Sequence, residues 1–280
     1  MTRFNVGEPV QVAGSAVRVR RLLAPNAGPM TGPGTNTYLI GDKVLALVDP
    51  GPDDPSHLKS IIEMIAGNPL RWILVTHTHA DHSPAAAKVA ELTGAELVGM
   101  PVPAGGHHDH SFMPNRTYLN GEILSCEEFN IELIHTPGHV SNHLCYLLRE
   151  EKLLFTGDHI LQGTTSVILP PDGDMADYMT SLHKLRELPL DYLAPGHGDI
   201  MSAPLEAIDS LIAHRNKRES KIMSTMASTG ACDIDTLTLA VYDDVAPHLL
   251  PWARLTLEAH LIKLCKERKV RESGRGWELL

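Results

Sequence analysis

Three histidines and one aspartate lie within six residues of the chain, in the run HTHADH at 77–82. Imidazole and carboxylate are ligands that Zn²⁺ and similar divalent ions take. His77 and His79 alternate along the chain, so both can point to one ion while Asp81 and His82 point to a second. A single His-x-His pair would be weak evidence, but this concentration of ligands between a predicted strand and a predicted helix indicates a metal site.

Three later segments each add one candidate ligand at the end of a predicted strand. The segments are TPGH at 136–139, TGD at 156–158 and PGHG at 195–198, and the ligands are His139, Asp158 and His197. A glycine beside each ligand suits a loop that must bend sharply and let the backbone approach an ion closely. A lone histidine is usually an ordinary surface or core group, but this coincidence of spacing, residue type and position predicts a two-metal site.

The elements that must position these ligands alternate between strands and helices. Apolar and β-branched runs predict strands at 17–24, 38–40, 44–49, 71–76, 96–99, 117–119, 131–135, 144–148, 153–156 and 191–194. Apolar residues at helical spacing predict helices at 55–66, 84–93 and 175–187. This order predicts an α+β fold over residues 1–204, in which helices cover the outer faces of a β-sandwich.

Residues 205–280 differ from residues 1–204 in their pattern of predicted elements, which are mainly helices. This difference predicts a second, smaller domain. Helical spacing continues over 205–227 and 254–268, and Ser273-Gly274 is typical of a hairpin turn between two short strands. Helices followed by a hairpin are similar to a winged-helix domain.

Charge is divided unevenly between these two regions. Residues 1–204 hold 13 Lys and Arg against 23 Asp and Glu, whereas residues 205–280 hold 11 of each sign. An acidic body repels polyanions, so nucleic-acid binding would require a local basic patch or bound cations. Lys263, Lys266 and Lys269 are the candidate substrate-binding residues for such a patch, and a solvated face is the alternative.

The 280-residue chain contains neither a bilayer-length apolar run nor the apolar stretch of a secretory signal near its start. Its four cysteines lie far apart, which is typical of reduced thiols. We therefore expect a cytoplasmic protein with no membrane partner. For the oligomeric state, the sequence is compatible with both a monomer and a homodimer.

The order and types of the candidate ligands resemble the metallo-β-lactamase superfamily, whose HxHxDH motif matches 77–82 and is followed by single His, Asp and His ligands. The resemblance implies an αββα sandwich with a small C-terminal winged-helix-like domain, and two Zn²⁺ per chain, with Mn²⁺ or Fe²⁺ as alternatives. It places one ion on His77, His79 and His139, the other on Asp81, His82 and His197, and Asp158 between them.

Two divalent ions lower the pKa of a water that they share, which predicts a metal-bridging hydroxide as nucleophile. Asp81 is expected to orient that water and carry its proton. His143 is the second catalytic candidate, either as proton donor to the leaving group or as support for the site, and a plain strand-entry residue is the alternative. Asp49 resembles an aspartate that orients a ligand imidazole, although an ordinary turn residue is the competing interpretation.

Asp158 distinguishes this chain from zinc β-lactamases, which typically carry Cys or Ser there, so antibiotic hydrolysis is not expected. Several segments resemble the β-lactamase-like protein 2 group within a broader glyoxalase II-like family: GTNTYLIG at 34–41, LVDPG at 47–51, TGDHILQG at 156–163 and HLIKLCKERKV at 260–270. That group implies endoribonuclease cleavage of a phosphodiester in single-stranded RNA. A glyoxalase II-like thioester hydrolase or a lactonase is the alternative, and a non-catalytic metal-binding scaffold is the alternative of another class.

Overall fold

The computed structural model describes residues 5–116 and 118–280. They form two compact units: the first comprises residues up to 136 with 142–166 and 187–205, and the second comprises 137–141, 167–186 and 206–280. The last break falls one residue from the predicted boundary at 204, whereas two earlier segments of the second unit interrupt the predicted first domain. The division into domains 1–204 and 205–280 stays a prediction.

The first unit contains two β-sheets. The larger is built from Val10–Ala13 (β1), Val19–Leu23 (β2), Asn36–Ile40 (β3), Leu45–Val48 (β4), Leu70–Leu74 (β5) and Glu96–Val98 (β6), paired in that order. The smaller is built from Ile123–Ser125 (β7), Asn130–His135 (β8), Leu144–Leu148 (β9), Leu153–Gly157 (β10) and Tyr192–Pro195 (β11), in the order β11-β10-β9-β8-β7. The sequence did not predict β1 or β7. Of the strand predicted at 117–119, residue 117 lies outside the described residues and 118–119 form no strand.

The main core of this unit contains side chains from both sheets. Tyr38 of β3 packs on Phe155 of β10, with ring centroids 5.2 Å apart. Alternate side chains of the larger sheet, such as Leu39 and Ile73, pack instead with the helices Pro55–Ile65 (α1) and Ala86–Thr93 (α2). These strands are therefore buried on both faces, which is why their sequences are continuous apolar runs.

The ligand-bearing loops follow strands that run parallel. β4 pairs with β5 in parallel, and β10 pairs with β11 in parallel. The carboxyl ends of parallel neighbours lie at the same edge of a sheet. As a result, the Asp49 N–H donates to the Leu74 carbonyl at 2.9 Å, and the Gly196 N–H donates to the Gly157 carbonyl at 2.8 Å.

The second unit is mainly helical. Its elements are Met175–Arg186 (α3), Pro204–Thr229 (α4, whose first two residues belong to the first unit), Ile234–Val241 (α5), the short 3₁₀ helix Pro247–Leu249, Leu250–Lys266 (α6) and the hairpin strands Val270–Ser273 (β12) and Gly276–Leu279 (β13). Apolar residues of α4, α5, α6 and β12 form one core. Among the helices of the described residues, none is both long and apolar enough to span a bilayer.

His260 on α6 is expected to make the stability of the second unit depend on pH. It is fully buried, neither ring nitrogen has a hydrogen-bond partner among the described residues, and burial, with Arg215 and Lys263 nearby, lowers its pKa to about 3. Between pH 6.5 and that value the unfolded chain binds the proton and the folded chain does not. Stability should therefore fall as pH falls, by up to about 1.4 kcal/mol per pH unit.

The variant His260→Leu should lose less stability than the wild type between pH 7.5 and pH 5.5. Urea unfolding at both pH values measures the two losses, and His248→Leu, at an exposed position, is the matched control. Equal losses in the wild type and His260→Leu would contradict the prediction.

Candidate metal centre

The HTHADH segment follows β5 and turns its side chains towards one another. His77 and His82 are buried, and His77 Nε2 lies 3.0 Å from His79 Nδ1. The Asp81 side chain keeps 27% of its surface exposed. His77 and His79 thus present two ring nitrogens side by side, while Asp81 and His82 present their donor atoms to the loops that follow β10 and β11.

Four donor atoms of the first unit form a compact set around one position. Asp81 Oδ2 lies 3.3 Å from His82 Nε2 and 3.2 Å from His197 Nε2, and Asp158 Oδ1 lies 3.3 Å from each of the same nitrogens. Zinc bonds of about 2.0–2.1 Å place tetrahedral ligand atoms about 3.3 Å apart. This donor set therefore fits a divalent ion. One ligand atom of His77 lies within 4.8 Å of ligand atoms of His82 and Asp158. The pair formed by His77 and His79 therefore belongs to the same cluster.

His139, the remaining predicted ligand, belongs to the second unit. Its Nδ1 lies 2.6 Å from the Val167 carbonyl, also in the second unit, a contact that orients the ring through that nitrogen. Its assignment as the third ligand of the His77 and His79 ion stays a prediction.

The buried imidazoles and carboxylates perturb one another's protonation. Burial lowers the pKa of His82, but the charges of Asp81, Asp158 and Asp49 outweigh it and hold that pKa well above 6.5. Burial acts on His197 in the same direction, yet Asp158 and Asp81 raise its pKa to about 10. Burial raises the pKa of Asp158, and His197 and His82 lower it to well below 3.8. The site has the negative potential that a cation requires, and a bound ion must displace protons from the imidazoles.

Asp49 contacts His82 directly, as the resemblance implied. Its Oδ2 lies 2.9 Å from His82 Nδ1, and it accepts hydrogen bonds from the Thr76 N–H and hydroxyl, each at 2.8 Å. A proton on Nδ1 leaves Nε2 as the metal-binding nitrogen. The interpretation of Asp49 as an ordinary turn residue is therefore not supported.

The structure shows what the first residues of the segment GTNTYLIG at 34–41 contact. The Gly34 carbonyl lies 3.1 Å from His197 Nδ1, and the Thr35 hydroxyl donates to Asp81 Oδ2 at 3.1 Å. The Asn36 amide donates to the Pro195 and Gly198 carbonyls at 3.0 and 2.8 Å. These residues hold the Asp81 and His197 side chains and the loop after β11. Three consecutive small polar residues, 35–37, at the start of a buried strand are the sequence feature that could have indicated their role.

His143 does not line a substrate-accessible surface. Its ring is fully buried, stacks on His77 at a centroid distance of 5.3 Å, and places Nδ1 2.9 Å from the Thr136 hydroxyl. A ring with no exposed surface cannot reach a leaving group in this structure. The geometry favours the second predicted role, support of a ligand, over that of a proton donor.

The loop GGHHDH at 105–110 packs two of its side chains, His108 and Asp109, on the metal-binding motif. His108 stacks on His79 at 5.5 Å, and its Nδ1 lies 2.9 Å from the Thr78 hydroxyl oxygen. The Asp109 N–H donates to the Thr78 carbonyl at 2.6 Å, and its carboxylate accepts from Ser83 at 2.7 Å. This loop therefore braces the first two ligands.

The three candidate substrate-binding lysines all have acidic partners in the second unit. Lys263 Nζ lies 2.6 Å from Glu219 and 2.7 Å from Glu267, and Lys269 Nζ lies 2.7 Å from Glu267. Lys266 Nζ lies 2.5 Å from Asp174. Their charges are compensated locally, and their assignment to substrate binding stays a prediction.

Comparison with known proteins identifies the family of this chain. A family model described as the metallo-β-lactamase superfamily matches residues 30–197, and one described as the β-lactamase associated winged helix domain matches residues 234–277. A "Beta-lactamase-like protein 2 homolog" of Caenorhabditis elegans is 32% identical over 272 residues, covering 93% of this chain and 88% of that protein. An "Atrochrysone carboxyl ACP thioesterase" of Aspergillus fumigatus is 31% identical over 214 residues, covering 74% of this chain and 64% of that protein.

A solved structure of a β-lactamase domain protein from Burkholderia ambifaria superposes with a TM-score of 0.78 at 17% identity, covering 98% of this chain and 94% of that chain. It shows a shared fold. The chain belongs to the metallo-β-lactamase superfamily and is a hydrolase of that superfamily with a C-terminal winged-helix domain. The predicted fold class and resemblance are confirmed.

Replacing Asp49 by Asn should weaken zinc binding about 10–100-fold, because His82 loses the charged partner that fixes its ring. Competition against a chelating dye measures the affinity. Asp53→Asn, which alters an exposed carboxylate paired with Lys88, should keep wild-type affinity. Unchanged affinity in a folded Asp49→Asn protein would contradict this role.

Replacing Gly196 by Ala should expel one ion without unfolding the chain. A Cβ at Gly196 would lie 2.7 Å from Asp158 Oδ1 and 2.7 Å from His82 Cε1, so the ligands must move apart. Gly105→Ala, where a Cβ meets nothing within 4 Å, is the control. Metal content measured by atomic emission should fall in Gly196→Ala alone, and a full complement of metal in that variant would overturn the prediction.

Proposed function

We propose that this chain hydrolyses acyl thioesters and uses two divalent ions for this reaction, with Zn²⁺ as the preferred ion. The observation that carries the proposal is a pocket of about 310 Å³ that opens beside the ligand His197. Its lining contains Pro29, Met30, Pro33 and Leu161. Among the described residues that line it, none is Lys, Arg, Asp or Glu. Such a pocket suits an uncharged acyl chain and offers a phosphate backbone no lysine or arginine side chain.

The leaving group also favours a thioester. A thiol has a pKa of about 8.5, so a thiolate can depart without a proton donor, whereas the alkoxide released from RNA needs an acid. His143, the residue predicted as that acid, has no exposed surface. The site geometry thus supports breaking a C–S bond better than breaking a P–O bond.

Charge compensation in the second unit argues in the same direction. Lys263, Lys266 and Lys269, predicted as an RNA-binding patch, each lie within 2.8 Å of a carboxylate oxygen. Binding a polyanion there would require breaking these pairs before counterion release could provide affinity. The name of the fungal relative, a thioesterase, supports the same substrate class.

When bound, two divalent ions lower the pKa of a water and polarise the substrate carbonyl. Asp81 is held by the Thr35 hydroxyl at 3.1 Å, and a bound divalent ion would keep its carboxylate ionised. It orients the attacking water and accepts its proton. Water oxygen bonds to the acyl carbon, the C–S bond breaks, and the thiolate takes a proton, giving a carboxylic acid and a thiol.

The zinc-loaded protein should hydrolyse the hexanoyl thioester of N-acetylcysteamine, followed with a thiol-reactive dye, and leave labelled single-stranded RNA intact. Asp81→Asn should lower kcat at least about 100-fold. Asp42→Asn, an exposed carboxylate paired with Arg18, should not change it. RNA cleavage without thioester hydrolysis, abolished by Asp81→Asn, would refute the proposal and restore the phosphodiesterase alternative.

A further inference from the structure

We infer that the loop 101–116 forms a second substrate pocket, which binds the thiol side of the thioester as an extended, uncharged, amide-bearing arm of the pantetheine type. This inference rests on the proposed function for its choice of ligand. It assigns the two sides of the scissile bond to two separate pockets of the first unit.

The second pocket has a volume of about 400 Å³ and differs in lining from the first. Val102, Phe112 and Met113 provide apolar surface, and His110 and Arg116 add polar groups. Met113 is 75% exposed and Phe112 is buried, so the pocket has a fixed floor and an open rim. Met113 thus adds exposed apolar surface at the rim that a ligand can cover.

Contacts to Thr78 attach this pocket to the metal-binding motif. Thr78 lies between the ligands His77 and His79 and bonds the loop through Asp109 and His108. Asn142 donates to the Thr78 hydroxyl at 2.9 Å and to the Pro101 carbonyl at 3.3 Å. The wall of the pocket is thus fixed to the His77 and His79 side of the metal-binding cluster, whereas the first pocket adjoins His197.

The linings decide which side of the substrate each pocket takes. The described lining of the first pocket contains no Lys, Arg, Asp or Glu, which suits an acyl chain, whereas the second combines apolar surface with an imidazole and a guanidinium. Arg116 is paired with Glu122, so the rim is polar without a strong net charge. An uncharged chain with amide groups matches this mixture, and the open rim lets the chain continue to a larger carrier.

The test compares three exposed-site variants on matched substrates. Met113→Glu places a charge in the second pocket, Met30→Glu places one in the first, and Leu92→Glu places one on α2 as control; these side chains are 75%, 51% and 64% exposed. Met113→Glu should raise KM about tenfold for hexanoyl-pantetheine but leave hexanoyl-N-acetylcysteamine unchanged. Met30→Glu should instead reduce the preference for hexanoyl over acetyl on either thiol.

Binding of the non-hydrolysable S-hexyl-pantetheine thioether, measured by calorimetry, separates this inference from the proposed function. If the thioether binds the wild type and Met113→Glu weakens this binding, the inference of a second pocket is supported even when no thioester is hydrolysed. If thioesters are hydrolysed and Met113→Glu alters neither KM nor thioether binding, this inference fails alone. Sensitivity of hexanoyl-coenzyme A or of a hexanoyl carrier protein to Met113→Glu supports the assignment and identifies the source of the arm.

Discussion

The buried carboxylate of Asp49 fixes the geometry on which the metal-binding cluster depends. It lies at the end of β4, accepts two hydrogen bonds from Thr76 at the end of β5, and contacts His82 Nδ1 at 2.9 Å. One side chain therefore sets the spacing of two strand ends and the ring orientation of a ligand. Since a buried carboxylate without these partners would cost several kcal/mol, the loop cannot rotate away without a large loss of stability. The left-handed backbone of Asp49, with φ at 47°, is maintained by the same contacts.

Close to Asp49 and His82, the fold brings together two carboxylates, those of Asp81 and Asp158. Asp81 and Asp158 approach the same two imidazole nitrogens at 3.2–3.3 Å. Without an ion, protonated His82 and His197 compensate the two carboxylates, and a divalent cation in their place compensates them with more charge at shorter distances. Strand pairing provides this geometry, and a divalent ion held by the same side chains would couple metal binding to folding.

Outside the cluster, charge is neutralised locally. Several basic residues of the second unit lie in ion pairs with neighbouring acids, such as Arg218 with Asp244 and Arg271 with Glu278. The pockets of the first unit are mainly apolar instead. The chain carries a net charge of −10, which by itself disfavours the binding of polyanions.

The sequence by itself determined the chemistry of the site and most elements that position it. HTHADH and the three strand-end ligands could be recognised because ligand type and short-range spacing are local properties, and the long apolar strands could be recognised because both their faces are buried. It could not place Asn36, Thr35 or His108, whose roles depend on partners 30 or more residues away, nor β7, whose three residues have an exposed–buried–exposed pattern. Tertiary structure alone decided that His143 is inside the core, that Lys263, Lys266 and Lys269 are paired, and that a mainly apolar pocket opens beside His197, because burial and charge compensation are properties of neighbours in space.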